Sequence, residues 1–215
     1  MFPDLTRDDV FRLETRRLWL RWPRHADVQA IHRLAGEREV AEMTASIPHP
    51  YPQEAAVAFV FEARKANALG RALQLAITPK RKPNQLIGMI GILAPTDEEA
   101  APFLGYWIGQ PHWGKGYATE GARALVDAWF AYTEADELAS SARVVNPASR
   151  RVLEKCGFAH AGAGLKAFPA RGGAFPVDRF RLDRRAWQRL KPWADTGLVP
   201  HGARSRGRHE LAAAW

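Results

Sequence analysis

The sequence predicts a mixed α/β (α+β) domain, a central twisted sheet of six or seven strands flanked by about four helices. Three observations carry that prediction. Short segments of alternating apolar residues are interleaved with longer segments of helical period. The apolar run Phe103–Gly109 leads through a long helical segment into Glu137–Val145, the order of a parallel βαβ unit with a right-handed crossover. A loop with Gly114 and Gly116 joins that run to the helix.

The elements follow in chain order. Arg16–Trp22 alternates Leu18, Leu20 and Trp22 with Arg17, Trp19 and Arg21, the period of a strand, and Pro23 ends it. Asp27–Glu37 reads as a helix with Val28, Ile31, Leu34 and Ala35 on one side. Pro48, Pro50 and Pro52 exclude helix and make a loop. Gln53–Leu69 returns to helical period and stops at Gly70. Ala72–Thr78 and Leu86–Leu93 form a hairpin across the basic turn Pro79–Gln85, and Pro95–Ala101 is an acidic loop. Phe103–Gly109 is a strand, Gly114–Tyr132 a long helix, Glu137–Val145 a strand and Pro147–Cys156 a short helix stopped by Gly157. Phe158–Ala161 and Pro176–Leu182 complete the sheet.

Residues 1–190 are expected to form a single domain, and residues 191–215 a basic, peripheral or mobile tail. Hydrophobic residues make up 47% and charged residues 25% of the 215, as in a globular protein. No apolar run approaches the roughly 18–20 residues that span a bilayer, and Met1–Arg12 lacks the apolar core of a signal peptide. The one cysteine, Cys156, forms no internal disulfide and reads as a buried packing residue. A cytoplasmic location without a membrane partner is expected. The seven histidines show no metal-ligand spacing, so no metal is expected. The net charge of +8 fits either a solvated basic surface or a phosphate-rich ligand.

The segment Gly109–Gly121, GQPHWGKGYATEG, carries the most chemistry. A helix start offers free N–H groups and the positive end of a dipole, and glycines let a phosphate approach the backbone closely. Lys115 adds a positive charge. The segment is neither a Walker A loop nor a full dinucleotide fingerprint, and by itself it fits a tight turn as well as a phosphate cradle.

Three segments together resemble the GNAT acetyltransferase superfamily, in its RimJ/RimL branch. They are LETRRLWLRW (Leu13–Trp22), GYWIGQPHWGKGYATE (Gly105–Glu120) and NPASRRVLEKCGF (Asn146–Phe158), in family order. Trp113 stands where the superfamily signature has Gln or Arg. The resemblance implies a GNAT fold with a V-shaped splay between strands 103–109 and 137–145, and acetyl-CoA as co-substrate in that splay. It implies pyrophosphate contacts from Gly114, Lys115, Gly116, Tyr117, Ala118 and Thr119 beside Trp113. It implies that the Ile108 backbone bonds pantetheine like an added strand, with Asn146 bonding it from the other side. The Tyr106 backbone N–H takes the place of the oxyanion donor. The tyrosine acid of many relatives is replaced by Leu153, and Ser149 stands where RimL-like members place a serine for the leaving thiol. Glu42 is a candidate base, ranked below a water relay. Glu98 and Glu99 lie upstream, Glu120 serves the helix start, and Met43, Thr44, His49 and Tyr51 border the acceptor.

The expected activity is transfer of acetyl from acetyl-CoA to a primary amine, a protein N-terminus or a small amine, by a monomer or homodimer that does not require nucleic acid. A basic RNA- or ribosome-associated module with reduced or regulatory CoA binding is the alternative; the charge favours it and the lack of an RNA-binding motif opposes it.

Overall fold

The computed structural model describes residues 2–95 and 100–190. Glu98, Glu99 and the proposed tail at 191–215 lie outside the described residues.

Eight strands form one sheet: β1 (Arg12–Glu14), β2 (Leu18–Arg21), β3 (Ala72–Pro79), β4 (Gly88–Leu93), β5 (Phe103–Ile108), β6 (Glu137–Arg143), β7 (Ala159–Phe168) and β8 (Gly173–Asp183). Their spatial order is β1-β2-β3-β4-β5-β6-β8-β7. Every neighbouring pair is antiparallel except β5 and β6, which are parallel and joined across α4 as the sequence predicts. The helices are α1 (Val28–Ala35), α2 (Arg38–Ala41), α3 (Gln53–Ala68), α4 (Tyr117–Tyr132), α5 (Pro147–Lys155) and α6 (Arg184–Arg189).

The two faces of the sheet bury different layers. On one, α4 presents Ala122, Leu125, Val126 and Trp129 to Leu75, Ile77, Ile90 and Leu104. These helical positions recur at three and four residues, which puts them on one stripe. On the other face, Val28, Ile31 and Leu34 of α1 and Ala56 and Val60 of α3 cover Ala76 and Met89.

Several boundaries differ from the sequence reading, each for a local reason. The expected strand over 16–22 is instead the second arm of a hairpin. Thr15 N–H donates to the Leu18 carbonyl at 3.0 Å, so Arg16 and Arg17 form the turn and only Leu18–Arg21 stays extended. The Gly114–Tyr132 helix begins at Tyr117, because Gly114 and Gly116 both adopt left-handed φ, 73° and 75°. The last hairpin is longer than expected: AHAGAGLKAF alternates mainly through alanine and glycine, which are weak strand formers, yet it pairs along β8 with an irregularity between His160 and Ala163. Two helices escaped the sequence reading. α2 is a single turn, and α6 is six residues rich in arginine. α6 is fixed by Asp183, whose side chain accepts from Ala186 N–H at 2.7 Å, and by buried Trp187, whose indole donates to Asp127 at 2.8 Å.

The entry to α1 is held by a buried ion pair. Arg21 binds Asp27 through two bonds of 2.7 and 2.8 Å, and Asp27 also accepts from Arg24 N–H at 2.7 Å. Removing one partner leaves the other charge buried and uncompensated. Asp27→Ala is expected to lower the unfolding free energy by roughly 3–5 kcal/mol in urea denaturation; a loss below about 1 kcal/mol would show the pair to be dispensable.

Candidate active site

The parallel contact between β5 and β6 is short. Phe103 pairs with Ala139, Ala139 N–H donates to the Pro102 carbonyl at 2.8 Å, and Ser140 Oγ donates to the Leu104 carbonyl at 2.8 Å. Beyond that point the strands separate. The opening is part of a cleft of about 1240 Å³ bordered by β5, β6, the Gly114–Gly116 loop, α5 and the segment after α2.

Strand alternation decides what β5 offers this cleft. The carbonyls of Pro102 and Leu104 turn toward β6, while Gly109 N–H turns toward β4 and donates to Ile87. The period of two therefore turns the main-chain groups of Tyr106 and Ile108 toward the opening as well. The side chains of Leu104, Tyr106 and Ile108 lie on the α4 face, and Trp107 packs on the α1–α3 face.

The glycine loop closes one end. Gly116 is the N-cap of α4 in the left-handed region, where a side chain would be strained. Nothing lies within 4 Å of a Cβ built at Gly114, and only Arg17 Nη2, at 3.5 Å, lies near one at Gly116. The first turn of α4 is thus open on the side that its dipole makes positive. The Trp113 indole donates to the Ile108 carbonyl at 2.6 Å and ties the loop to the end of β5. Lys115 turns back to the Pro111 carbonyl at 2.9 Å. His112 has its pKa lowered by burial and by Lys115, which keeps the imidazole neutral near pH 7. Tyr117, Ala118 and Thr119 border the cleft from α4.

Arg17 was absent from the residues singled out by sequence. Its hairpin turn aims it at α4: the guanidinium lies 4.7 Å over the Tyr117 ring and bonds Glu120 at 2.6 Å. Glu120 also accepts from Thr15 Oγ1 at 2.6 Å and from Arg17 N–H at 2.7 Å. Burial opposes ionisation of Glu120, but these bonds outweigh it and hold its pKa below the usual value. Glu120 therefore anchors an arginine beside the loop. The sequence places Arg17 in a strand alternation, and only the turn shows that it lies beside the loop.

Opposite β5, Asn146 caps α5, its Oδ1 accepting from Ser149 N–H at 3.0 Å. That bond occupies one of the groups expected to meet pantetheine and leaves the amide NH₂. Ser149 Oγ lies 2.9 Å from the Tyr106 hydroxyl, whose distance to the Ser149 carbonyl is 3.1 Å. Burial pushes the Tyr106 phenol well above its ordinary pKa, so it is neutral. Leu153, at the usual tyrosine position, is fully buried in the core. Cys156 is also buried there, its thiol pushed up to about 12 by burial, and is a packing residue as expected.

At the other end of the cleft, Glu42, Met43, Thr44 and Tyr51 are among the bordering residues, together with Phe103, Arg143 and Lys166. His49 instead meets the Gly36 carbonyl at 2.8 Å. Arg38 binds the Glu42 carboxylate at 2.6 Å and holds its pKa below the usual carboxylate value. That shift makes Glu42 a poorer proton acceptor than the sequence alone suggested.

A sheet opened between parallel strands, with a glycine loop and helix start at the opening, offers a place for a linear, phosphate-bearing ligand. Residues 17–159 match the acetyltransferase (GNAT) domain family, and the chain belongs to that family. YkkB of Bacillus subtilis is 34% identical over 92 residues, 42% of this chain and 54% of YkkB. The FsC-acetyl coenzyme A-N(2)-transacetylase of Aspergillus fumigatus is 30% identical over 105 residues, 45% of each chain. The chain thus spans about half the length of these curated relatives. The structure of Mycobacterium smegmatis RimJ in complex with CoA-disulfide superposes with a TM-score of 0.69 at 20% identity, covering 86% of this chain and 92% of that one, a likeness of fold.

If the loop binds a pyrophosphate, Gly116→Asp is expected to weaken CoA binding at least tenfold by isothermal titration, through backbone strain and a carboxylate set against the anion. An unchanged Kd would remove the loop assignment. The lowered Glu120 pKa contributes stability that is present above the unfolded-state value and lost as pH falls through the folded one. Glu120→Gln should therefore flatten the acid limb of the melting-temperature profile below about pH 4.5; an unaltered acid limb would show that Glu120 gives no such linkage.

Proposed function

We propose that the protein transfers the acetyl group of acetyl-CoA to a primary amine by direct attack of the amine on the thioester. The observation that carries this reading is one continuous cleft running from the open glycines of the α4 start, past the free edge of β5, to Ser149. The CoA-disulfide complex of the RimJ neighbour supports the same ligand class here.

Acetyl-CoA would supply the thioester; the rest of the chemistry falls to the chain. The N–H groups at the α4 start and the Arg17 guanidinium suit a pyrophosphate. Ile108 N–H suits pantetheine as an added strand, and the Asn146 amide faces it from α5. Tyr106 N–H is the donor for the developing oxyanion, a role worth about 3–4 kcal/mol of barrier in comparable sites. Ser149 donates to the leaving sulfur. For the amine proton, Glu42 is held ionised and weakly basic by Arg38, so a water relay is the better route. An α-amine, with a pKa of roughly 7.7–8, needs little help near neutral pH, whereas lysine at about 10.4 needs more. That difference favours a protein N-terminus or a small weakly basic amine as acceptor, in a cytoplasmic setting.

Ser149→Ala is expected to lower kcat by roughly 10²-fold while KM for acetyl-CoA changes little. The measurement is free-thiol release across an amine library, which also identifies the acceptor. Wild-type turnover in the variant would exclude Ser149 as the donor.

A further inference from the structure

We infer that the Tyr106 side chain is a positioning residue for the leaving-group donor: its hydroxyl holds the Ser149 hydroxyl so that the serine hydrogen points into the cleft. The inference rests on the proposed role of Ser149 and adds to it a residue whose backbone alone had been given a function.

The geometry builds from two fixed supports. Tyr106 lies on the α4 face of β5, its ring packed against the main core. Ser149 sits in the first turn of α5, where Asn146 caps its N–H and fixes its backbone. Between them the phenol oxygen reaches Ser149 Oγ at 2.9 Å and the Ser149 carbonyl at 3.1 Å. A carbonyl only accepts, and the phenol has one hydrogen to give. When that hydrogen goes to the carbonyl, the serine hydrogen is drawn toward the phenol oxygen and away from the cleft. When it goes to Ser149 Oγ, the serine hydrogen must find another acceptor, and the cleft that Ser149 borders is where an anionic sulfur would provide one. A negative charge there selects the second arrangement, so the pair is a two-position switch set by the charge it stabilises.

Tyr106 remains a neutral donor throughout, because burial opposes its ionisation. As the carbon–sulfur bond breaks, the electron pair passes to sulfur and the Ser149 hydrogen stabilises it. The proton that sulfur finally takes is balanced by the one the amine loses on becoming an amide. The Tyr106 hydroxyl keeps its own proton and acts only through Ser149.

A simple packing role for the tyrosine predicts different behaviour, and a double-mutant cycle separates the two. Tyr106→Phe keeps the ring and deletes only the hydroxyl. Expected are a three- to tenfold drop in kcat (about one neutral hydrogen bond), with the CoA Kd by titration unchanged and the melting temperature lowered by no more than the few degrees that one lost hydrogen bond accounts for. In a Ser149→Ala background the same change should cost nothing further. A second readout needs no turnover. With ¹³Cζ-tyrosine labelling of the ligand-free protein, four tyrosine signals are expected. The one lost in Tyr106→Phe should shift in Ser149→Ala and not titrate up to about pH 11. Wild-type kcat in Tyr106→Phe, additive losses in the double variant, or a Tyr106 signal indifferent to Ser149→Ala would each overturn the coupling. Wild-type turnover in Ser149→Ala with normal CoA binding would remove the serine's role, and the proposal with it. Absence of CoA binding would instead remove the acetyl-CoA reading.

Discussion

The structure turns on one interrupted interaction, the parallel pairing of β5 and β6. A parallel ladder that continued would satisfy the main chain of Tyr106 and Ile108 and leave no room for a ligand. Pairing stops after Phe103 and Ala139, and the cleft begins there. Unpaired strand edges invite association or need cover. This edge lies inside the domain, flanked by α4 and α5, where a linear ligand able to pair with it has the means to bind. The single contact is reinforced by Ser140 Oγ on the Leu104 carbonyl, which pins the apex of the opening.

The sheet also separates the site's tasks by face, because a strand sends alternate side chains to opposite sides. On the α4 face, Tyr106 meets Ser149, next to the core that contains Leu153 and Cys156. On the other, Trp107 packs with α1 and α3, beside the segment carrying Met43, Thr44 and Tyr51. The proposed leaving-group chemistry is thus mounted on the core, while the proposed acceptor side is built on a loop with a single helical turn. Such loops tolerate sequence change better than packed cores do.

Much of this was legible in the sequence where a local rule was strong. The periodic helices α1, α3 and α4 and the β3–β4 hairpin were located within a few residues, and the αβ junction at Gly114–Gly116 stood out because glycine alone adopts left-handed φ without strain. What stayed hidden depended on partners distant in the chain. Arg17 acquires its place through Glu120, 103 residues away. Tyr106 meets Ser149 across 43 residues, and no period or motif signals that contact. The opening hairpin was missed because Arg16 and Arg17 continue a strand-like alternation; the Thr15 turn overrides it. α2 and α6 are too short for a period to register.

Glu120 illustrates why charge near the proposed anion site cannot be judged from sequence alone. A carboxylate in the first turn of a helix favours the helix dipole but repels a phosphate approaching the same amides. Here both carboxylate oxygens are engaged by Thr15 and Arg17, so much of its charge is neutralised locally. Arg17 in turn is held over Tyr117 with Nη2 near Gly116, ready to meet an anion without first being ordered. Ordering a long side chain on binding carries an entropic cost. By meeting that cost in the folded protein, Glu120 would strengthen the proposed anion site through its partner.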